Sequence, residues 1–374
     1  MNKIICLIFI VSGFLFVNAL GEESGSMNSS VIAVPKFDGD TTKGIYLIHL
    51  DNGSLSFIKN AKDSPDELHP VPLKINVFEA LGRTAGDSAK PGEILVREMR
   101  KENGNVDTLL LADTVTGAMA YITDLGDDPD KGEVKQIGER PAQTIASSDH
   151  NYTMFMYYDP SGETNGTYLC HLTDGNCLYF NEIHKMHKKY APESPGIASV
   201  IPNASSIIEV HSGNKGPRSH LVADNASGDL YWLEVETKKP KKLYCRKEHK
   251  IHLFDVFPSE AEVITPYRFV LVPILIDNDS TWHVLIVDVG SGKMAIFNVH
   301  DYKMLELRKG KKSINLYEYL PKETTHTRII TALPKILKGN TNGAWFFDSA
   351  SGQTLFLNHI DDIHKIEITK VPGL

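Results

Sequence analysis

One pattern recurs six times along the 374-residue chain: a β-rich run, an Asp, a turn closed by Gly, and a second β-rich run. The copies read IYLIHLDNGSLSFI from Ile45, LLLADTVTGAMAYI from Leu109, TYLCHLTDGNCLYF from Thr167, HLVADNASGDLYWL from His220, VLIVDVGSGKMAIF from Val284 and AWFFDSASGQTLFL from Ala344. Aligned on Asp51, Asp113, Asp174, Asp224, Asp288 and Asp348, the copies follow one another at 62, 61, 50, 64 and 60 residues. The turn is readable as chemistry. Asp accepts from the backbone N–H groups that follow it, and Gly supplies the positive φ that closes a hairpin. Four copies place Thr116, Ser227, Ser291 or Ser351 just before that Gly, and two read as shorter loops at Asn52-Gly53 and Asp174-Gly175.

A strand-like run precedes each hairpin, over 31–34, 94–96, 153–158, 207–210, 269–276 and 329–333. A shorter one follows, clearest at 73–78, 242–245, 315–320 and 365–371. The unit therefore has four strands, A to D. One such sheet cannot bury both faces alone, and six stacked in a ring bury them for every copy. The alternative, two ordinary β domains, does not call for a repeat spaced regularly along the whole chain.

The Asp-x-x-Thr/Ser-Gly hairpin resembles the B–C turn of many β-propeller repeats, including quinoprotein-type ones. The resemblance implies an all-β, six-bladed β-propeller of four-stranded antiparallel blades. The expected blades are 29–80, 92–138, 150–190, 205–248, 266–320 and 326–372, within a single domain of 20–374. The resemblance is to the fold and to no particular family: calcium-phytase, calcium-dependent lactonase and WD-type signatures are absent. The Trp of quinoprotein repeats occurs once at most, at Trp232, so no quinone and no other cofactor is expected. Blade 1 begins with its own A strand and blade 6 ends with its own D strand. Ring closure is then expected from packing between blades, with residues near Val31 and Val371 contributing.

Residues 1–19 read as a signal peptide, with Lys3, an apolar run from Ile4 to Val17 and small residues up to Ala19; an uncleaved anchor is the alternative. The longest later apolar run, 269–276, contains Pro273 and suits a buried strand rather than a membrane span. The expected location is secreted, extracellular. A formal charge of −8, or −9 without Lys3, argues against a nucleic-acid partner. Sequons at Asn28, Asn52, Asn151, Asn165, Asn203, Asn225 and Asn278 are glycosylation candidates. Beyond the leader the cysteines are Cys170, Cys177 and Cys245; the first two flank a hairpin turn and are a disulfide candidate.

Catalytic signatures are absent: no Gly-x-Ser-x-Gly, no His-Glu-x-x-His, no phosphate-binding loop. No metal site is expected. His184-x-x-His187 and His249-x-x-His252 have ligand-like spacing, but their lysine neighbours repel a divalent cation. Two sets of residues remain. In a propeller the starts of the A strands surround one mouth of the central channel. There Asp149, His150, Tyr152, Arg268, His326 and Arg328 are candidates to grip an anion or support acid–base work. The C–D loops lie on the opposite face. Those of blades 3, 4 and 5 read as basic, with Lys188, Lys189, Lys239, Lys241, Lys309 and Lys311, and would gather into one sector for an anionic partner. The first set points to a hydrolase or lyase. The second points to a binding module for a protein or an anionic glycan, and whether the protein is an enzyme stays open at this stage.

Overall fold

The computed structural model describes residues 9–10, 15–19, 29–59, 68–84, 86–89, 93–101, 103, 105–125, 132–136, 152–158, 164–171, 177–181, 187–190, 204–210, 219–224, 227–235, 243–260, 268–276, 280–309, 311–321, 330–348, 351, 353–360, 362 and 365–371. Their strands form the six sheets that the repeat predicts. Blade 1 is A Ser29–Asp38, B Thr41–His49, C Ser54–Ile58 and D Pro70–Asn76. Blade 2 is Ile94–Arg100, Val106–Asp113, Met119–Thr123 and Glu133–Gln136. Blade 3 is Tyr152–Tyr158, Thr164–His171, Cys177–Asn181 and His187–Tyr190. Blade 4 is Ala204–Val210, Ser219–Asp224, Asp229–Val235 and Leu243–His252. Blade 5 is Phe269–Ile276, Ser280–Asp288, Met294–Asn298 and Lys303–Glu306. Blade 6 is Ile330–Leu337, Asn340–Asp348, Thr354–Asn358 and Glu367–Val371. In every blade the order is A-B-C-D, each strand antiparallel to the next. The chain is a six-bladed β-propeller.

Alternation along each strand sends side chains to both faces of a blade, so the core lies between blades. Ile32, Val34 and Tyr46 of blade 1 pack with Ile94, Val96 and Leu109 of blade 2. Leu221 and Leu230 of blade 4 meet Leu271 and Ile286 of blade 5, and Val272 and Leu285 on that blade's other side meet Ala332 and Phe346 of blade 6. Ring closure follows the same plan. Val31, Ala33 and Leu47 of blade 1 pack against Leu333, Trp345, Phe347 and Val371 of blade 6, as the sequence suggested for Val31 and Val371.

Buried threonines fasten these packed faces. In blades 1, 2, 3, 5 and 6 the pairing of A with B slips by one residue near the A–B turn. Thr42 and Thr341 sit at this slip, and each hydroxyl accepts the amide of the preceding blade's A strand: Ile336 N to Thr42 Oγ1 and Leu275 N to Thr341 Oγ1, both 3.0 Å. The seam between blades 6 and 1 thus carries the same fastening as the continuous junction of blades 5 and 6.

Two further apolar segments lie beside inner strands. Leu15–Ala19 pairs antiparallel with strand A of blade 1, and Phe9–Ile10 pairs parallel with strand A of blade 4. All 24 blade strands come from residues after 28.

Three details differ from the sequence reading. Blade 4 runs to His252 rather than 248. Strand D of blade 5 is Lys303–Glu306, whereas 315–320 holds a short 3-10 turn, because the chain re-enters D directly after a tight turn at Asp301-Tyr302. Blade 1 has no shortened loop: Gly53 N–H donates to His49 O as Gly117 N–H does to Asp113 O, both at 2.7 Å. His49 therefore holds the turn position of Asp113, and Asp51 lies two residues further on. Blade 3 has the same shift, since the pairing of Tyr152 with His171 matches that of Ile94 with Asp113. Asp174 itself lies outside the described residues.

Candidate functional site

The B–C turns and the starts of the A strands share one end of every blade, where the channel-mouth candidates were expected. This end is built from aspartates. Asp113 Oδ1 accepts from the N–H groups of Val115 and Thr116 at 2.8 and 3.1 Å. Asp288 accepts from Gly290 N–H at 3.1 Å and from the Ser291 hydroxyl at 2.7 Å. Asp224 accepts from Ser227 N–H at 2.9 Å, and Asp348 from the Ser351 hydroxyl. All four are buried.

A buried carboxylate needs a charged partner as well as turn amides. Arg83 supplies it in blade 2, with Nε to Asp113 Oδ2 at 2.6 Å, Nη2 to Oδ1 at 2.9 Å and a contact with Glu93 at 3.4 Å. Burial alone would raise the Asp113 pKa; the hydrogen bonds from Arg83 and the turn amides outweigh it, and the carboxyl is held below its ordinary value. Arg268 does the same in blade 5. It precedes strand A, its Nε meets Asp288 Oδ1 at 3.0 Å, and its guanidinium donates to the carbonyls of Ser259 and Pro258 while stacking over Phe254 at 4.7 Å. Arg268 is thus an anchor of the turn. Of the other channel-mouth candidates, Tyr152 opens strand A of blade 3, and Asp149, His150, His326 and Arg328 lie outside the described residues.

A second repeated motif, distinct from the Asp-Gly hairpin, closes this end. After strand D, blades 1, 4 and 5 read Asn76-Val-Phe-Glu, His252-Leu-Phe-Asp and Asn315-Leu-Tyr-Glu. Each turns into a single helical turn: Val77–Ala80, Leu253–Asp255 and Leu316–Glu318. The amides of Val77, Leu253 and Leu316 bond the carbonyls of Gly53, Gly228 and Gly292, and the aromatic ring covers that glycine. Gly228 has φ +71°, and a Cβ there would lie 2.6 Å from the Phe254 ring, so the position excludes other residues on two counts. Asn76 and Asn315 complete the plug by donating Nδ2 to Asn52 O and Ser291 O at 2.8 and 2.9 Å. In blade 4 His252 instead places Nδ1 3.1 Å from Asp229 Oδ1. Among the described residues no group of three or more His, Cys, Asp or Glu is arranged to hold a metal ion.

The basic candidates are divided. Lys188 and Lys189 lie in strand D of blade 3, and Lys239 and Lys241 lie outside the described residues. Lys309 and Lys311 are not in a C–D loop, which in blade 5 spans 299–302. They sit past the other end of strand D, because Leu307 still bonds Met294 O while Lys293 next bridges to Asn315. The residues between are an insertion folded as a hairpin, Arg308–Lys309 paired with Lys312–Ser313. Expected as part of one sector with blades 3 and 4, these lysines belong instead to the outer edge of blade 5, toward its B–C end.

The base of that hairpin is braced. Glu306 takes Arg308 Nη2 at 2.6 Å and the Ser313 hydroxyl at 2.6 Å, and Lys312 pairs with Glu318 at 2.8 Å. The Ser313 bond, opposed by burial and aided by Arg308, holds the Glu306 carboxyl below its ordinary pKa. At the tip, Lys309 stands directly opposite Lys312, and Lys311 immediately precedes Lys312. Lys309 and Lys311 are exposed and have no acidic partner among the described residues.

Cys170 and Cys177 are directly opposite each other across strands B and C of blade 3. Mass mapping of the non-reduced protein is expected to show them linked, with Cys245 alkylated without reductant. Labelling of both by a thiol reagent in the native protein would rule the bridge out. Of the sequons, Asn52 is exposed at the blade 1 turn, with Oδ1 accepting Ser54 N–H at 2.8 Å. Asn165 lies in strand B of blade 3, and the other five lie outside the described residues.

No family model matches the chain, and no curated protein matches it. Among solved structures, apo AztD from Citrobacter koseri is 10% identical, with 96% of this chain and 95% of that one covered and a TM-score of 0.44. The periplasmic gluconolactonase PpgL of Pseudomonas aeruginosa is 10% identical over 96% of each chain, with a TM-score of 0.45. AofleA from Arthrobotrys oligospora is 12% identical over 98% and 96%, with a TM-score of 0.48. The fold assignment rests on the sheets and registers themselves. No helix among the described residues is long and apolar enough to cross a membrane.

Proposed function

We propose that the protein is a secreted binding module that takes a negatively charged partner on the hairpin at the outer edge of blade 5. The observation that carries this is the pair Lys309 and Lys311, exposed on an inserted hairpin with no acidic partner among the described residues. Lys312, directly opposite Lys309, is already answered by Glu318 at 2.8 Å. A chain with a formal charge of −8 has acidic residues to place there, yet Glu306 and Glu318 brace the base while Lys309 and Lys311 are presented to solvent. An anion bridging Lys309 and Lys311 answers both charges and draws on an already ordered hairpin, which lowers the entropic cost of binding. The apolar leader supports export. The reading of the channel mouth as a hydrolase or lyase site has less to draw on, since Arg268 already serves Asp288.

The test is chromatographic. The wild-type mature protein is expected to be held on heparin at low salt and released by added salt. Lys309→Glu with Lys311→Glu is expected to abolish retention while leaving the melting temperature unchanged. Flow-through of the wild type at low salt would reduce the tip to a solvated surface.

A further inference from the structure

We infer that the partner is an acidic polypeptide segment that adds as a fifth strand along the outer edge of blade 5; this rests on the reading of the hairpin above. Strand D, Lys303–Glu306, is last in its sheet. Its pairing with strand C alternates: the Leu307 amide bonds Met294 O, so the bonded pairs are those of Leu305 with Ile296 and Lys303 with Asn298. The N–H and C=O groups of Met304 and Glu306 consequently face outward, where an added strand would find them.

The side chains on this edge say what kind of strand fits. Met304 and Glu306 are half-buried, Met304 against the core between blades 4 and 5. Lys303 and Leu305 stand on the opposite face. Leu305 is 66% exposed, the most exposed large apolar side chain among the described residues, and Tyr302 beside the strand is 39% exposed. An exposed Leu two residues from a lysine is not how an edge is blunted. Lys303 deters a second apolar edge, while Leu305 invites one. A strand with an acidic residue opposite Lys303 and an apolar one opposite Leu305 satisfies both, and its continuation meets Lys309 and Lys311. A glycan would use the lysines and leave Leu305 and the outward amides unengaged. Strand addition uses all three.

The probe is a fluorescein-labelled peptide of Glu-Thr-Leu-Thr repeats, which presents Glu and Leu in turn on one strand face, compared with a heparin oligosaccharide. The peptide is expected to bind and to slow exchange of the Met304 amide about tenfold. Leu305→Ser is expected to weaken the peptide about tenfold and leave heparin unchanged. Lys309→Glu with Lys311→Glu weakens both. Heparin binding without peptide binding would overturn strand addition and keep the anion-binding tip. Peptide binding indifferent to Leu305→Ser, with no amide protection, would overturn it as charge attraction alone. Failure of both probes would overturn the tip and the edge together.

Discussion

Replacing Arg83 by Met is expected to lower folding stability by about 3–5 kcal/mol at neutral pH, the range for leaving one partner of a buried pair uncompensated. The Asp113 side chain is fully buried, that of Arg83 is largely so, and the pair is bidentate. The pH dependence separates this cause from simple loss of packing over Phe78. In the wild type the Asp113 pKa lies below its unfolded value, so its contribution is full above the ordinary carboxylate range and is lost as pH falls through the folded value. Without Arg83, burial is opposed only by the turn amides of Val115 and Thr116, so the folded pKa rises. Protonation then costs the folded variant less than it costs the wild type. Acidification from pH 7 toward pH 4 should therefore shrink the stability difference between the two proteins. Urea unfolding at the two pH values measures it. A difference that stays constant would assign the loss to packing. Adding Asp113→Asn to the variant should restore much of the loss, since it removes the stranded charge and keeps an acceptor for the turn amides.

Such a turn shows how far the sequence carries. The Asp and Gly that shape the B–C hairpin are local chemistry, so the repeat and the number of blades are legible. The pattern misleads where another residue type takes the aspartate's position. His49 occupies the aspartate's position in blade 1, with Nε2 3.1 Å from Ser56 Oγ, and the nearby Asp51 mimics the expected residue. Arg83 and Arg268 reach their aspartates from 30 and 20 residues away, along routes that no local pattern records. The plug was legible in principle: three copies of Asn/His, an aliphatic residue, an aromatic one and an acid are visible in the letters. Its role was not, because the aromatic ring acts only once strand D has brought it over a glycine from the neighbouring hairpin. The basic hairpin of blade 5 misled for the opposite reason. Its lysines were conspicuous, but an insertion within strand D is indistinguishable from a long C–D loop until the pairing of Glu306 with Ala295 is known.

The seam between blades 6 and 1 carries the other large expected effect. Each blade supplies all four of its strands, so no strand exchange holds the ring shut, and the burden falls on the packed face and the threonine contacts. Trp345 is the largest fully buried side chain of the described residues and packs its ring 4.5 Å from Phe356, among Val31, Leu47, Leu333 and Val371. Its Nε1 has no acceptor among the described residues, so truncation removes packing without breaking a hydrogen bond. Trp345→Ala is expected to destabilise by about 3–5 kcal/mol. Phe346→Ala is the matched control, since Phe346 points to the other face of the same strand, into the core between blades 5 and 6. Amide exchange distinguishes the two. The amides of Ile336 and Lys338 bond Thr42 and Thr41 across the seam, while that of Leu275 bonds Thr341 across the continuous junction. With Trp345→Ala the first two should exchange faster relative to Leu275, because the loss is local to a junction that no covalent chain spans. With Phe346→Ala the order should reverse. Equal acceleration of all three in both variants would mean that the ring opens only by global unfolding, and that the seam is no weaker than the other junctions.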